Sequence, residues 1–413
     1  MLQKVSLGRK SIVKYRGVVE GALLDEVEEL AADLAGLRLC HINATPFGGG
    51  VAELLTSYIP LLRGCGIEAD WQVIRGNRRF FEITKALHNA LQGAEYPLLE
   101  QTTQRIYLSN NRLNARELDL SYDVFVVNDP QPAALRQFIE DSGAKWVWRC
   151  HVDSSEPDPQ VWQFLLPFIQ QYDAAVFTME KFVPAELSVP HIAIIAPAID
   201  PFSPKNMSLP MHLCRQMIDN LDLHRKQPLI CQVSRFDPWK DPFGVIEVFR
   251  LARERVPGLQ LALVGSFAND DPEAWDMYAA VNAEADKDED IHIFTNLTGI
   301  GNMEVNAFQT GSQVVLQKSI KEGFGLGVTE ALWKGTPVVA GNAGGIPLQL
   351  AGPLAEYLVE SNEECAQKIV HLLGDDELRR ELGGIGRAHV KQNFLMPRLV
   401  RDELSLVKRL VAG

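Results

Sequence analysis

Short runs of β-branched and apolar residues alternate with longer stretches of helical period along this 413-residue chain. In the first half the runs are LRLCHINA (37–44), ADWQVIRG (69–76), YDVFVVND (122–129), KWVWRCHVD (145–153), DAAVFT (173–178) and HIAIIAPAID (191–200). Each is bounded by turn residues or followed by an amphipathic segment such as VAELLTSYIPLLRGCG, so each reads as a strand leading into a helix. That alternation predicts a parallel sheet covered by helices, an α/β fold. After DPFSPKNMSLP (200–210) the pattern restarts with PLICQVSRF (228–236), LQLALVGSF (259–267), IHIFTNL (291–297), SQVVLQKS (312–319) and TPVVAGNAGG (336–345). Two doubly wound, Rossmann-like domains are predicted, over 1–205 and 206–385, with C-terminal helices over 386–413 crossing back to the first domain. Pro397 should kink or restart that last helical stretch.

Composition narrows the classes. With 46% hydrophobic residues the chain suits a globular protein too long for one ordinary core. A formal charge of -13 argues against a nucleic-acid surface, which needs a basic face, so any anion site is local. The first 35 residues lack the apolar core of a secretory signal, and no run approaches the roughly 18 apolar residues of a membrane span. A cytosolic protein with no membrane partner is the expectation. The 6 cysteines stand singly, without CxxC or short Cys/His pairing, and read as small buried hydrophobes rather than a zinc or disulfide framework.

Doubly wound sheets bind ligands beyond the carboxyl ends of their strands, where backbone amides and helix N-termini converge. Two such edges can face one another across a cleft. HINATPFGGGVAELL ends the first strand, and Gly48, Gly49 and Gly50 let the backbone approach a ligand ahead of a helix. It is neither the GxGxxG fingerprint nor a Walker loop, and a tight strand-to-helix turn explains it equally well. In QVSRFDPWKDP, Arg235 and Lys240 precede a helix and suit a diphosphate; equally, Arg235 could pair with Asp237 or Asp241. In EGFGLGVTE, Glu322 lies near a strand end and Glu330 one or two turns into the next helix. Carboxylates repel phosphate but accept hydrogen bonds from sugar hydroxyls, Glu322 from a hexose and Glu330 from a ribose, with glycine amides serving the diphosphate between them. Alone, Glu330 reads as a solvated helix residue. The acidic run at 269–271 reads as a turn, and no visible ligand cluster requires a metal.

The stretch from Glu322 to Glu330 resembles the E-x7-E motif of retaining GT-B glycosyltransferases of family 4. Together with HINATPFGGGVAELL, VWRCHVD, SRFDPWKDPFGVIEVFR, DDPEAW and EALWKGTPVVAGNAGGIPLQL, it resembles the glycosyltransferring trehalose synthases from about residue 37 to the C-terminal helices. Gly327, where a bulkier residue such as threonine is expected, and SSEPD after His151 depart from the pattern. The resemblance implies a GT-B fold and transfer of glucose from a nucleoside diphosphate glucose to free glucose, reversibly, giving α,α-trehalose. By that resemblance Arg235 and Lys240 neutralise the leaving diphosphate, Glu322 holds the donor glucose with Gly323, Phe324 and Gly325 beside it, and Glu330 binds the ribose. Gly49 and Gly50 approach the sugar and phosphates. His151 lies beside the reacting carbon or the acceptor, with Asp153 and Arg149 as acceptor contacts and Asn128 and Asp129 as weaker ones. Trp71 and Trp148 belong to the core. No tightly bound cofactor is implied, Mg2+ is at most stimulatory, and a homodimer is expected. The rival readings are a family 4 transferase with another sugar or sugar-phosphate acceptor, a GT-B nucleotide-sugar epimerase, and a sensing protein without turnover.

Overall fold

The strands form where the apolar runs stand, and the central ones, such as Val124–Asn128 and Gln260–Gly265, are buried on both faces of a sheet, as a parallel strand covered by helices must be. A computed structural model describes the chain except for residues 98, 141–142, 222, 225–226, 268–273 and 413. The described residues divide into two compact units, 1–197 with 396–412, and those between 198 and 395. Residues 198–205 and 386–395 therefore fall in the second unit, whereas the sequence pattern assigned them to the first domain and to the C-terminal helices. The turn expected at 269–271 and most of DDPEAW lie outside the described residues.

In the first unit the strands are β1 (Gln3–Lys4), β2 (Arg38–Asn43), β3 (Glu68–Val73), β4 (Val124–Asn128), β5 (Lys145–Arg149), β6 (Ala174–Phe177) and β7 (His191–Ile194). They lie in the order β1-β3-β2-β4-β5-β6-β7, with only β1 antiparallel to its neighbour. The helices α1 (Gly21–Asp33), α2 (Gly50–Gly64), α3 (Arg78–Leu91), α4 (Gln101–Glu117) and α5 (Pro159–Ile169) cover it. Its core includes Trp71, Trp146 and Trp148, all essentially inaccessible. Trp71 donates to Asn43 Oδ1 at 2.7 Å and Trp148 to the Asp129 carbonyl at 3.1 Å, so these two buried indole N–H groups are satisfied.

The second unit holds β8 (Leu229–Val233), β9 (Gln260–Gly265), β10 (Ile291–Thr295), β11 (Val314–Gln317), β12 (Val338–Gly341) and β13 (Leu358–Val359), parallel in the order β10-β9-β8-β11-β12-β13. Its helices are α6 (Met211–Asp219), α7 (Pro242–Arg253), α8 (Ala274–Ala285), α9 (Asn302–Gly311), α10 (Leu326–Lys334), α11 (Asn362–Leu373) and α12 (Asp376–Asn393). The chain then restarts as α13 (Met396–Ala412), with Pro397 in its first turn, where a missing N–H costs nothing. α13 belongs to the first unit, burying Leu399, Val400, Leu404 and Val407, with Arg401 paired to Glu26 at 3.1 Å. Among the described residues no helix is long and apolar enough to cross a membrane.

In each sheet the direction of winding reverses at one place: between β2 and β4 in the first, between β8 and β11 in the second. Those are the crevices where doubly wound sheets take ligands.

Candidate active site

The second unit brings its motif residues together at its crevice. Arg235 and Lys240 follow β8, and Glu322 follows β11, the strand hydrogen-bonded to β8. Asp237 accepts from Trp239 N at 2.9 Å and opens a short 3-10 turn, Pro238–Lys240, which sets Lys240 towards the neighbouring loop. There its ammonium forms an ion pair with Glu322, whose carboxylate also accepts from Ser319 Oγ at 3.0 Å. Arg235 stands 3.7 Å from Asp237 and retains 28% exposure of its side chain.

Asp241 is not Arg235's partner. It sits in the left-handed region (φ 48°), accepts from Gly244 N at 3.1 Å as the N-cap of α7, and pairs with Lys318 at 3.1 Å. Gln232 ties the two loops again, donating to the Lys240 carbonyl at 3.0 Å and accepting from Lys318 N at 3.0 Å. Ile320 N donates to the Trp239 carbonyl at 2.9 Å. Lys318 and Gln232 carry no motif of their own, so the pattern of the sequence does not single them out.

The loop from Gly323 to Gly325 turns into α10 with Gly325 as a left-handed N-cap (φ 86°) lacking a side-chain cap. The first-turn amides of such a helix, and its positive end, favour an anion. Phe324, expected at the donor, buries its ring against Phe394 at 5.3 Å, and Gln349 binds its carbonyl. Its side chain is a core anchor, and only its backbone is available to a ligand. Gly327 has little room: a Cβ there would lie 3.1 Å from Gln317 Oε1 and 3.2 Å from the Val233 carbonyl.

Behind this loop stands a second glycine turn. A Cβ at Gly341 would lie 2.2 Å from the Ser319 carbonyl, one at Gly344 1.5 Å from the Glu322 carbonyl, and one at Gly345 2.8 Å from the Gly323 carbonyl. Gly345 N also donates to the Glu322 carbonyl at 3.3 Å. These glycines let one backbone support another, a role visible only once β11 and β12 are neighbours.

Glu330 is not a solvated helix residue: it is 1% exposed. Its carboxylate pairs with Lys205 at 3.0 Å and accepts from Gln309 Nε2 at 3.2 Å.

In the first unit, Gly48 (φ 73°) and Gly49 (φ 143°) carry the chain from β2 into α2 through backbone angles that only glycine adopts freely, and Gly50 is the helix's first residue. Asn128 ends β4; its amide N–H donates to the Ile42 carbonyl at 3.0 Å, which turns Oδ1 towards His151 Nε2 at 3.0 Å. His151 N donates to Asp129 Oδ1 at 2.8 Å, and Asp129 itself holds a left-handed φ of 65°. Burial, followed by the nearby Arg149 guanidinium and His41, holds the His151 imidazole well below its usual range. A neutral ring whose Nε2–H is given to Asn128 presents Nδ1 as an acceptor.

Two acceptor candidates are engaged elsewhere. Arg149 is 2% exposed and paired with Glu403 of α13, and burial lowers its pKa to about 10. It fastens α13 to β5. Asp153 is buried and accepts from Ser155 N at 3.1 Å and Ser155 Oγ at 2.6 Å, which the departure SSEPD supplies. Among the described residues no group of three or more His, Cys, Asp or Glu gathers that could hold a metal.

Residues 41–184 match the family model described as the trehalose synthase N-terminal domain, and residues 215–389 match that of group 1 glycosyl transferases. A trehalose synthase of Rubrobacter xylanophilus is 47% identical over all of both chains, and one of Pyrococcus horikoshii is 42% identical over 99% of each. A UDP-forming α,α-trehalose-phosphate synthase structure from Burkholderia xenovorans superposes with a TM-score of 0.71 at 15% identity, covering 91% of this chain and 100% of its own. That likeness assigns the GT-B fold.

Proposed function

This chain belongs to the trehalose synthase family, and on that premise we propose that it transfers glucose, with retention, from a nucleoside diphosphate glucose to free glucose, reversibly, giving α,α-trehalose. The observation that carries the reading is the convergence at one crevice of Arg235, Lys240, Glu322 and the uncapped N-terminus of α10.

Cleaving the anomeric bond builds positive charge on the sugar and negative charge on the leaving diphosphate. Arg235 and Lys240 meet the latter, and preorganised cations act most strongly on charge that develops in the transition state. Lys240 is paired with Glu322. An arriving diphosphate competes for the ammonium and leaves the Glu322 oxygens to accept from the hexose hydroxyls. Glu330 serves the ribose, Gly49 and Gly50 come to the sugar and phosphates, and neutral His151 accepts from a sugar hydroxyl through Nδ1. Retention follows from attack on the face the diphosphate leaves, the departing phosphate taking the acceptor's proton.

An uncharged acceptor is favoured over a sugar phosphate. Residues 41–62 contain no Arg or Lys, and Arg149 is already spent on Glu403.

The test is incubation with ADP-, UDP- and GDP-glucose, each with and without glucose, with chromatography of the products and Glu322→Ala as control. A non-reducing disaccharide that requires glucose and vanishes in the variant supports the reading. An isomeric nucleotide sugar formed without acceptor would replace it with epimerisation.

A further inference from the structure

Residues 204–207, just inside the second unit, are held by side chains from two helices. Asn306 of α9, fully buried, donates to the Pro204 carbonyl at 3.0 Å and the Met207 carbonyl at 2.8 Å, on either side of Lys205. From α10, Trp333 donates to the Asn206 carbonyl at 3.1 Å and Lys334 to Asn206 Oδ1 at 3.0 Å. Lys334 also reaches Gln309 Oε1 at 2.9 Å, which turns the Gln309 amide N–H towards Glu330. This cradle sets the Lys205 ammonium on Glu330 Oε1 at 3.0 Å, with Lys205 14% and Glu330 1% exposed.

A lysine on an irregular surface segment usually spends its side-chain entropy on solvent. Here the backbone on both sides is fixed, and the ammonium is paired with a buried carboxylate, a contact that is costly to break. A carboxylate offers about four acceptor sites, so an ion pair on one oxygen fixes its orientation without by itself using up its capacity.

We propose that Lys205 is a positioning residue of the nucleoside subsite: it aims the Glu330 carboxylate at the ribose and so sets how strongly the enzyme requires the ribose hydroxyls. This rests on the reading that Glu330 binds the ribose. Lys205 acts through Glu330, and the consequence is selectivity between ribo- and deoxyribonucleoside diphosphates rather than the rate of glucose transfer.

The test is calorimetry with the tightest-binding of ADP, UDP and GDP and with its 2′-deoxy form. Wild type, Lys205→Met, Lys205→Gln, Lys205→Arg and Glu330→Gln are compared, and thermal melts establish which variants are folded. A hydrogen bond to a charged acceptor corresponds to roughly tenfold or more in affinity. Wild type is therefore expected to prefer the ribose form by about that factor. Glu330→Gln and Lys205→Met should lose most of the preference and Lys205→Arg keep it, with Lys205→Gln carrying the comparison should the Met variant not fold. Discrimination undiminished in a folded Met or Gln variant, while Glu330→Gln abolishes it, would overturn the role of Lys205 and leave that of Glu330 intact. No discrimination in wild type, or discrimination indifferent to Glu330→Gln, would overturn both.

Discussion

Replacing Gly344 with alanine tests how tightly the donor loop is held. Gly344 has φ +50°, and a Cβ built on it lies 1.5 Å from the Glu322 carbonyl oxygen. Ordinary contact needs about 3.4 Å, so the two backbones must part by roughly 2 Å, less whatever the turn absorbs. The Glu322 side of the contact cannot yield alone. Its carboxylate is fixed to Lys240 and Ser319, and Ser319 and Gly323 rest on Gly341 and Gly345. Misplacement of a catalytic group by ~1 Å costs about 10²-fold, so Gly344→Ala should lower kcat by at least about 10². The stability cost should be only about 1–3 kcal/mol, the scale of local strain and overpacking. Steady-state transfer rates at saturating donor and acceptor, with denaturant unfolding of the same preparations, separate the two. A folded Gly344→Ala enzyme with kcat within threefold of wild type would refute the argument that this turn positions Glu322.

Three further outcomes are expected. Arg235→Ala should weaken nucleoside diphosphate binding by about tenfold or more, as befits a charge-assisted contact, and calorimetry showing undiminished affinity would remove Arg235 from the site. Glu403→Ala strands the buried Arg149 guanidinium and should cost about 3–5 kcal/mol in guanidinium unfolding, whereas Glu403→Leu with Arg149→Met should recover most of it; an additive loss would contradict the pairing. His41, held near 3 by burial and Arg149, and His151, also depressed, stay neutral when folded but protonate near 6.5 when unfolded. The unfolded chain thus binds more protons below that pH, and stability should fall by about 1.4 kcal/mol per pH unit for each histidine as pH drops from 6.5. His41→Gln should reduce the slope between pH 7 and 5.5, and an unchanged slope would count against a buried neutral His41.

The strand-and-helix order was legible because fully buried parallel strands are apolar along their whole length. The two strands the pattern missed, β1 and β13, are two residues each, too short to carry any period. Arg235, Lys240 and Glu322 could be read because strand ends and helix starts carry ligand chemistry in this kind of sheet. Their partners could not. Lys318 meets the cation loop, and Gln232 ties that loop to Lys318, only because β8 and β11, more than 80 residues apart, are neighbours. Lys205 meets Glu330 only because α9 and α10 fold the 204–207 segment onto them. The partner of Arg149 was hidden for a related reason: a strand-end arginine looks like a ligand contact, and only the fold brings Glu403 of α13 to it. Phe324 sat within the right motif with its ring turned inwards, a distinction that motif position cannot make.

The most direct test of glucose transfer with retention is carbon NMR of the products formed from nucleoside diphosphate glucose labelled at the anomeric carbon, in the presence of unlabelled glucose. The account predicts one labelled disaccharide with both anomeric carbons in the α configuration and no reducing end. Label found in a β-linked product, in free glucose alone or in an isomeric nucleotide sugar would contradict it.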